Sequence, residues 1–463
     1  MDSITEQLAG YVAGLKYEAL PASTRHAATV RIIDSLGCAL GGYGGEPARI
    51  ARGLAATRRS ANGATVLGSG GVSTPEAAAF ANGVMVRYLD CNDTHIGRGL
   101  AHPSDMIPAV LAAVEIASNR GADVITSVVA AYQVFDAVGR QLRMSFDGWD
   151  QSMVAALGAA AGAGKALGLD HAQLGHAMAI AATANVATGQ TRTGELSMWK
   201  GCATAYATAG GLFAAIVAQQ GMSGPSAAFE GKSGLQEMVT GPLSLDVQGL
   251  GAGQPAVVEQ TSLKYFPAQY DAQALIWMAL ELGRQVQVAD IASIEVQTYA
   301  QAKRAIAGDP AKWNPQSRET ADHSLPYLMA VALTDGEVTE RSFTPERIAD
   351  PQLRRLMQRI TVSENPEFTQ QSPAAMVSET TVRTVAGRLH TVRSTYPKGH
   401  PRNPMTDRDL EAKFRLLAAP LLGAGGCDAA LVRLWRLGQS DDVSGVLRSL
   451  VAHVPNQGMQ EQR

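Results

Sequence analysis

The chain has 463 residues, enough for two domains, because a single hydrophobic core stops growing at about 250–300 residues. Hydrophobic residues make up 46% of it and charged residues 17%, the balance of an ordinary globular protein rather than a disordered one. The net charge of −3, with no block of basic residues, argues against nucleic acid as a partner, because phosphate binding needs a dense basic surface.

The sequence also lacks the features of several other protein classes. Its first 20 residues include acidic side chains and no apolar run, so we expect no signal peptide there. No uninterrupted apolar stretch reaches the roughly 18 residues of a membrane-spanning helix. The four cysteines stand singly, without the paired spacing of a zinc or iron–sulfur site. We therefore expect a cytoplasmic protein with neither nucleic acid nor membrane as a partner.

The first part of the chain, up to about residue 260, has a helical pattern. One helix is predicted from Ser23 through Leu36, ending at a Gly-Gly pair, since glycine commonly ends helices. The stretches Val154–Leu167 and His176–Ala187 are rich in alanine and glycine. Their small side chains predict helices that pack closely in a core.

After about residue 262 the pattern changes from helical to mixed. Ile294, Val296 and Thr298 alternate with polar neighbours, which is typical of a half-buried strand. The segments Thr380–Val385 and Leu389–Thr395 flank a short glycine-containing turn and predict a β-hairpin.

The last part of the chain is helical again, from Asp407 to Leu450. Helices at this end can pack on the first domain, which makes the mixed segment an insertion. We therefore predict a mostly α protein with two domains. A large all-helical domain is formed by both chain ends, residues 1–262 and 403–463, and a smaller α+β domain, residues 263–402 (the lid), is inserted between them.

The segment Arg87–Asp105 is unusually dense in acid, base and hydroxyl side chains. Two glycines and a proline predict a loop between Thr94 and His102, and loops on rigid scaffolds commonly carry active sites. Asp90 and Asp93 lie three residues apart, a spacing that on a helix end would let each shift the pKa of the other. The alternative is structural, with Asp93 as a helix cap.

Five motifs along the chain match one protein family in order and spacing. They are Asp90–Thr94 with His102–Asp105, then Met198–Ala203, Lys264–Ala268, His323–Tyr327 and Tyr396–His400. The sequence that carries them resembles the MmgE/PrpD family, which contains 2-methylcitrate dehydratase and cis-aconitate decarboxylase. The resemblance covers nearly the whole chain. It implies a homodimer that needs no metal or other cofactor, with a helical domain formed by both chain ends and an inserted α+β lid.

The resemblance implies an active site shared by the two predicted domains. Asp90, Thr94 and His102 match positions that line the family's active site. Lys264 and Tyr327 match pocket residues on the lid side. Asp90 and His102 are the predicted acid and base, in an order that the sequence leaves open. Thr94 and Tyr327 would orient the substrate, and Lys264 would stabilise negative charge in the transition state.

Four further residues complete the predicted substrate-binding set: Lys200, Gln273, Asp93 and Ser104. A lysine suits a substrate with about three carboxylates, because its ammonium is a compact positive charge. Lys200 departs from the family pattern, however, because decarboxylase-like members have the lysine about one helical turn earlier, where this chain has Leu196. Residues four apart share a helix face, so Lys200 can reach the same pocket, and its role stays open.

A second departure concerns the reaction. Decarboxylase-like members have His at the position matching Gln273, whereas Gln resembles the methylcitrate dehydratases. Glutamine cannot transfer a proton near neutral pH. The sequence therefore favours a cofactor-independent hydro-lyase that converts 2-methylcitrate, or a close tricarboxylate such as citrate, into the cis-aconitate-type alkene, a reaction of propionate catabolism. The alternatives are cis-aconitate decarboxylation or epimerisation of a dicarboxylate within the family and, from another class, a non-catalytic carboxylate-binding protein.

Overall fold

A computed structural model describes residues 1–96, 100–142, 148–193, 196–245 and 255–452. The amino-terminal part is helical apart from two short antiparallel pairs, β1 (Arg59–Val66) with β2 (Gly71–Ser73) and β3 (His95–Ile96) with β4 (Leu100–Ala101). Its longer helices cover Ser3–Gly14, Ala22–Gly41, Glu46–Ala56, Pro75–Tyr88, Ile107–Ile116, Gly121–Gly139, Ser152–Ala166, His171–Ala184 and Ala203–Gln219. The three helices predicted in this part are thereby confirmed. Of the predicted loop between Thr94 and His102, residues 97–99 lie outside the described residues.

The lid contains a four-stranded sheet with the order β6-β5-β7-β8. Its strands are β5 (Ile291–Thr298), β6 (Ile360–Glu364), β7 (Ser378–Thr384) and β8 (Leu389–Ser394). β5 pairs parallel with β6 and antiparallel with β7, and β7 and β8 form the predicted hairpin. Helices of this part cover Gln273–Gly283, Ala300–Ala307, Arg318–Ala321, Leu325–Asp335, Pro345–Ile348, Pro351–Met357 and Pro366–Gln371.

Two large hydrophobic cores form in the described chain. The first collects apolar side chains from residues 4–263 and again from 410–450, because the helix Asp407–Trp435 returns to pack along Ala22–Gly41. The second collects side chains from residues 266–382. The predicted fold class, mostly α with a smaller α+β part, is confirmed. The division at residues 262 and 402 stays a prediction, and residues 453–463 lie outside the described chain.

The lid begins and ends at one place, the neck, formed by Thr94, Ser262, Leu263 and Gly399. Thr94 and Ser262 exchange two backbone hydrogen bonds of 2.7 Å, and the Leu263 N–H donates to the Gly399 carbonyl at 3.0 Å. Gly399 has a φ of +94°, and a Cβ there would lie 2.0 Å from the Leu263 carbonyl oxygen. Glycine is therefore required where the two crossing segments touch.

Two helices are long and apolar enough to cross a membrane by length and composition alone, Gly121–Gly139 and Asp407–Trp435. Of the most apolar 18-residue segment of each helix, 89% is buried inside the protein in the first helix and 28% in the second. Core helices of globular proteins pass the same test, so these two helices do not by themselves indicate a membrane protein.

Candidate active site

A cavity of about 1150 Å³ lies between the helical part and the lid, and both parts line it. Among the described residues of its lining, seven are Lys or Arg and three are Asp. This excess of positive charge, in a cavity with some convergent polar groups, suits a small molecule with several carboxylates.

Asp90 lines this cavity, just after the helix Pro75–Tyr88, with a buried side chain. Its Oδ1 accepts hydrogen bonds from Arg87 Nη1 at 2.5 Å and from Lys264 Nζ, and its Oδ2 accepts from Lys200 Nζ at 3.2 Å. Burial alone would raise the pKa of Asp90, but these three cations outweigh it and hold the pKa well below its usual value. Asp90 is thus a permanent carboxylate at neutral pH.

The backbone of Asp90 is itself unusual, with a φ of +51°. A left-handed conformation in a residue other than glycine costs about 1–3 kcal/mol and persists only where surrounding contacts impose it. Here the Lys264 ammonium also donates to the Asp90 carbonyl at 3.0 Å. The same lysine therefore holds both the main chain and the carboxylate of Asp90.

Two residues missed in the sequence, Asp322 and His323, extend this charged group. Lys200 Nζ lies 3.4 Å from both Asp322 carboxylate oxygens, and His323 Nδ1 lies 2.5 Å from Asp322 Oδ1. A carboxylate can only accept, so His323 Nδ1 donates, and Nε2, 3.7 Å from Asp90 Oδ2, is unprotonated in the neutral ring. Burial and the Lys200 charge lower the pKa of His323 to about 4. The available signal was an acidic residue, Asp322, directly before the first histidine of the His323–Tyr327 motif.

A metal is the obvious alternative occupant of this group, since ligand atoms of Asp90, Asp322 and His323 lie within 4.8 Å of one another. The two carboxylates are already neutralised by ammonium and guanidinium groups, with Lys200 bonded to both. A divalent cation placed there would be repelled by three positive side chains, so this set of ligand atoms does not fit a metal.

His102 lines the same cavity, and its hydrogen bonds define its tautomer. Its Nδ1 lies 2.7 Å from the Asp93 carbonyl oxygen, which can only accept, so Nδ1 carries the proton. Nε2 therefore has a free lone pair. Burial, helped by the charges of Arg87 and Lys264, holds the pKa of His102 well below its usual value. The imidazole is neutral at pH 7 and able to accept a proton.

The structure corrects three predicted substrate contacts, Thr94, Asp93 and Ser104. None of them is among the described residues that line the cavity, and all three are fully buried. The Thr94 hydroxyl lies 3.4 Å from His102 Nδ1. Asp93 accepts from the Ser104 N–H at 3.0 Å and from the Tyr132 hydroxyl at 2.9 Å. These residues hold the loop that presents His102, so the structural alternative describes Asp93 better.

Gln273 is also corrected. It is fully buried and absent from the described cavity lining. Its Oε1 accepts from the Tyr265 and Phe266 N–H groups, and its Nε2 donates to the Phe266 and Ala268 carbonyls, all at 3.0 Å. With every amide group paired, Gln273 closes the loop that follows Lys264 and leaves nothing for a substrate. It therefore gives no reason to choose dehydration over decarboxylation.

Tyr327 lies in the lid core rather than at the described cavity lining. Its hydroxyl donates to the Ser342 carbonyl, and its ring packs against Phe343 with centroids 6.3 Å apart. The expectation that Tyr327 orients the substrate is therefore wrong in this structure.

Tyr327→Phe is expected to keep kcat/KM within about 3-fold while the free energy of unfolding falls by about 1–3 kcal/mol, because the buried Ser342 carbonyl loses its donor. Steady-state kinetics and urea unfolding measure the two effects. A loss of activity above 100-fold in a protein of unchanged stability would restore Tyr327 to the site.

Asp271 is a further cavity residue that the sequence analysis passed over. It lies in the same stretch as Lys264 and Gln273, and its Oδ1 accepts from the Tyr299 hydroxyl at 2.5 Å. Burial raises its pKa. The signal was an acidic residue within the otherwise neutral stretch Phe266–Gln273.

Two family models match the chain, the MmgE/PrpD N-terminal domain over residues 6–248 and the MmgE/PrpD C-terminal domain over residues 266–437. The chain belongs to the MmgE/PrpD family. Its curated relatives are lyases, and the predictions of family and of an enzyme are confirmed. The boundary between the two family models falls near the neck, although the second model also includes the whole helix Asp407–Trp435.

Relatives with two different enzymatic activities are similar to this MmgE/PrpD chain. Cis-aconitate decarboxylase of Mus musculus is 27% identical and that of Homo sapiens 28%, each over 97% of this chain and 94% and 95% of their own lengths. 2-Methylcitrate dehydratase of Cupriavidus necator is 27% identical over 74% of each chain. Identity at this level does not separate the two activities.

Proposed function

We propose that the protein is a cofactor-independent hydro-lyase that dehydrates 2-methylcitrate, or a close tricarboxylate such as citrate, to the corresponding alkene. His102 carries this proposal, because it lines a cationic cavity and is a neutral imidazole with an unprotonated Nε2. Dehydration begins with removal of a proton next to a carboxylate, which needs such a base beside positive charge.

Each of the charged and titratable residues in the cavity has its own role in this reaction. His102 Nε2 takes the proton from the substrate carbon, and the ammonium groups of Lys264 and Lys200 stabilise the charge that gathers on the adjacent carboxylate. Asp90, held ionised, transfers no proton but orients both lysines. The carbon–oxygen bond then breaks, and the hydroxyl leaves as water with a proton from His323. A bound tricarboxylate supplies the negative charge that raises the pKa of His323 above its value of about 4.

Decarboxylation of cis-aconitate is the second candidate. The two decarboxylase relatives support it, because they align over 97% of this chain and the dehydratase of Cupriavidus necator over 74%. Decarboxylation with protonation of carbon needs a proton donor at the reacting carbon, and that donor would have to be His323, because His102 is neutral in the free protein.

The deciding experiment incubates the purified protein with 2-methylcitrate, citrate and cis-aconitate separately, in the presence of a chelator, and identifies products by NMR. An alkene tricarboxylate formed from either hydroxy acid supports the dehydratase. Itaconate and carbon dioxide from cis-aconitate, without dehydration, would replace it with the decarboxylase, and turnover of none of the three would refute both.

The pH dependence of kcat/KM is expected to reflect the low pKa of His102. Protonation of the base ends activity, and a lowered pKa moves that protonation to lower pH. The acid limb of kcat/KM is therefore expected to lie below the ordinary histidine value of about 6.5. Initial rates in buffers of constant ionic strength measure this, and an acid limb at pH 6.5 or above would contradict it.

We also propose that the protein is a cytoplasmic homodimer. Exposed aromatic side chains on and beside the helix Ala203–Gln219 support self-association, with Trp199 46%, Tyr206 63% and Phe213 52% exposed. Large apolar groups grouped on a surface commonly mark an interface. Sedimentation equilibrium at micromolar concentration tests this, and a monomer would refute it.

A further inference from the structure

We propose that Lys413, which does not belong to any of the five motifs, is a positioning residue that fixes the chain segments carrying Asp90 and Lys264 relative to each other. Its kinetic consequence rests on the proposed function, whereas its structural consequence rests on contacts alone. The residue lies on the helix Asp407–Trp435, after the chain has returned from the lid.

The Lys413 ammonium has three partners, one for each of its N–H groups. It donates to Asp34 Oδ1 at 2.6 Å, to the Cys91 carbonyl at 2.7 Å and to the Lys264 carbonyl at 2.7 Å. These partners lie 379, 322 and 149 residues away along the chain. One buried cation thus joins a core helix, the loop after Asp90 and the first residues of the lid.

The charge of Lys413 is maintained inside the protein. Burial by itself lowers the pKa of Lys413, but the Asp34 carboxylate on the helix Ala22–Gly41 outweighs burial, and the pKa lies above its usual value. The ammonium therefore keeps all three donors at neutral pH. A neutral amine would have one donor fewer, and one of the three connections would be lost.

Two contacts link this arrangement to the catalytic groups. Cys91 follows Asp90 directly, and Lys413 holds its carbonyl while the Lys264 side chain holds the carboxylate and carbonyl of Asp90. Lys413 also holds the main chain of Lys264 itself. The separation of Asp90 and Lys264 is fixed from both sides, and with it a positive charge that adds to burial in lowering the pKa of His102.

The kinetic test compares Lys413→Met with Phe414→Leu. Methionine keeps most of the volume and removes the charge and donors, whereas Phe414 packs on the same helix pair, near Gly37, and makes none of these hydrogen bonds. In Lys413→Met, kcat is expected to fall about 10–100-fold with KM changed less than about 3-fold, as for a misplacement of catalytic groups. The acid limb of kcat/KM is expected to move to higher pH, because a Lys264 ammonium displaced from its position adds less to the lowering of the His102 pKa by burial and Arg87.

Phe414→Leu is expected to lose stability and to keep its acid limb. A purely structural role of Lys413 would lower stability without shifting the acid limb, so an unshifted limb in Lys413→Met overturns the proposal. An equal shift of the limb in both variants overturns it too, because the effect would then not depend on the hydrogen bonds of Lys413. Where Lys413→Met does not fold, Asp34→Asn replaces it and is expected to shift the limb in the same direction, because it removes the counter-charge of Lys413. An unchanged limb in Asp34→Asn overturns the proposal too.

A second measurement needs no substrate, so it tests the role of Lys413 even if the proposed function is wrong. Hydrogen exchange followed by mass spectrometry is expected to show about 10-fold faster exchange in Lys413→Met for the amides of residues 90–94 and 262–266. Several of these amides donate across the neck or to Gln273 in the intact protein. Faster exchange confined to these segments supports the inference, whereas unchanged or uniformly faster exchange overturns it.

Discussion

His102→Asn is expected to lower kcat/KM by about 10²–10⁴-fold, the contribution of a positioned general base. The asparagine amide nitrogen takes the place of the imidazole Nδ1 and can still donate to the Asp93 carbonyl, so the loop keeps the hydrogen bond seen at 2.7 Å. What disappears is the lone pair of Nε2. Initial rates, with circular dichroism to confirm folding, measure the loss.

Thr94→Val is the matched control for this prediction. It removes the hydroxyl that lies 3.4 Å from His102 Nδ1 and keeps the backbone pairing with Ser262. The expected loss is about 10-fold or less, because the Asp93 carbonyl still fixes the ring. If His102→Asn retained most of the activity, the base would have to be sought elsewhere in the cavity.

Lys264→Met is expected to lower kcat by about 10²–10³-fold, the usual effect of removing one group that stabilises developing negative charge. The ammonium now bonds the carboxylate and the carbonyl of Asp90, whose left-handed backbone depends on such contacts. Its removal leaves Arg87 and Lys200 to neutralise Asp90, so the protein is expected to fold. Single-turnover measurements separate this loss from substrate binding.

Lys312→Met removes the same charge from the same cavity without touching Asp90, since the Lys312 ammonium bonds the Ala305 carbonyl. It is expected to raise KM more than it lowers kcat, because it changes the general attraction for an anion. Equal losses of kcat in Lys264→Met and Lys312→Met would show that the position of the charge beside Asp90 does not matter.

The fold was predictable wherever the sequence has a regular hydrophobic periodicity or a clear turn signal. Along Ile291–Thr298 the side chains alternate between buried and exposed much as the pattern predicts, and the hairpin forms on either side of its glycine. The closely packed helix Ser152–Ala166 follows from its small side chains, since a Cβ on Gly162 would lie 2.9 Å from neighbouring atoms of another helix.

The site was predictable in part, because a motif gives the type and spacing of residues but not the direction of their side chains. Asp90, His102 and Lys264 reach the cavity as expected, and Lys200 joins them through Asp90 and Asp322. Thr94, Asp93, Ser104, Gln273 and Tyr327 have equally polar side chains that turn into the protein. A buried group that holds a loop in place and one that contacts a substrate have the same appearance in a sequence.

The neck is a place where the lid of such a protein could be exchanged. Both ends of the lid leave the helical part where Leu263 meets Gly399, and chain segments can be inserted or exchanged most readily where their two ends lie together. The chain thus enters and leaves the lid at one point, although side chains such as Lys200 and Asp322 also join the two parts elsewhere. In the proposed mechanism the base His102 lies on the helical part and the acid His323 on the lid, so a lid exchanged at the neck would change the acid and keep the base.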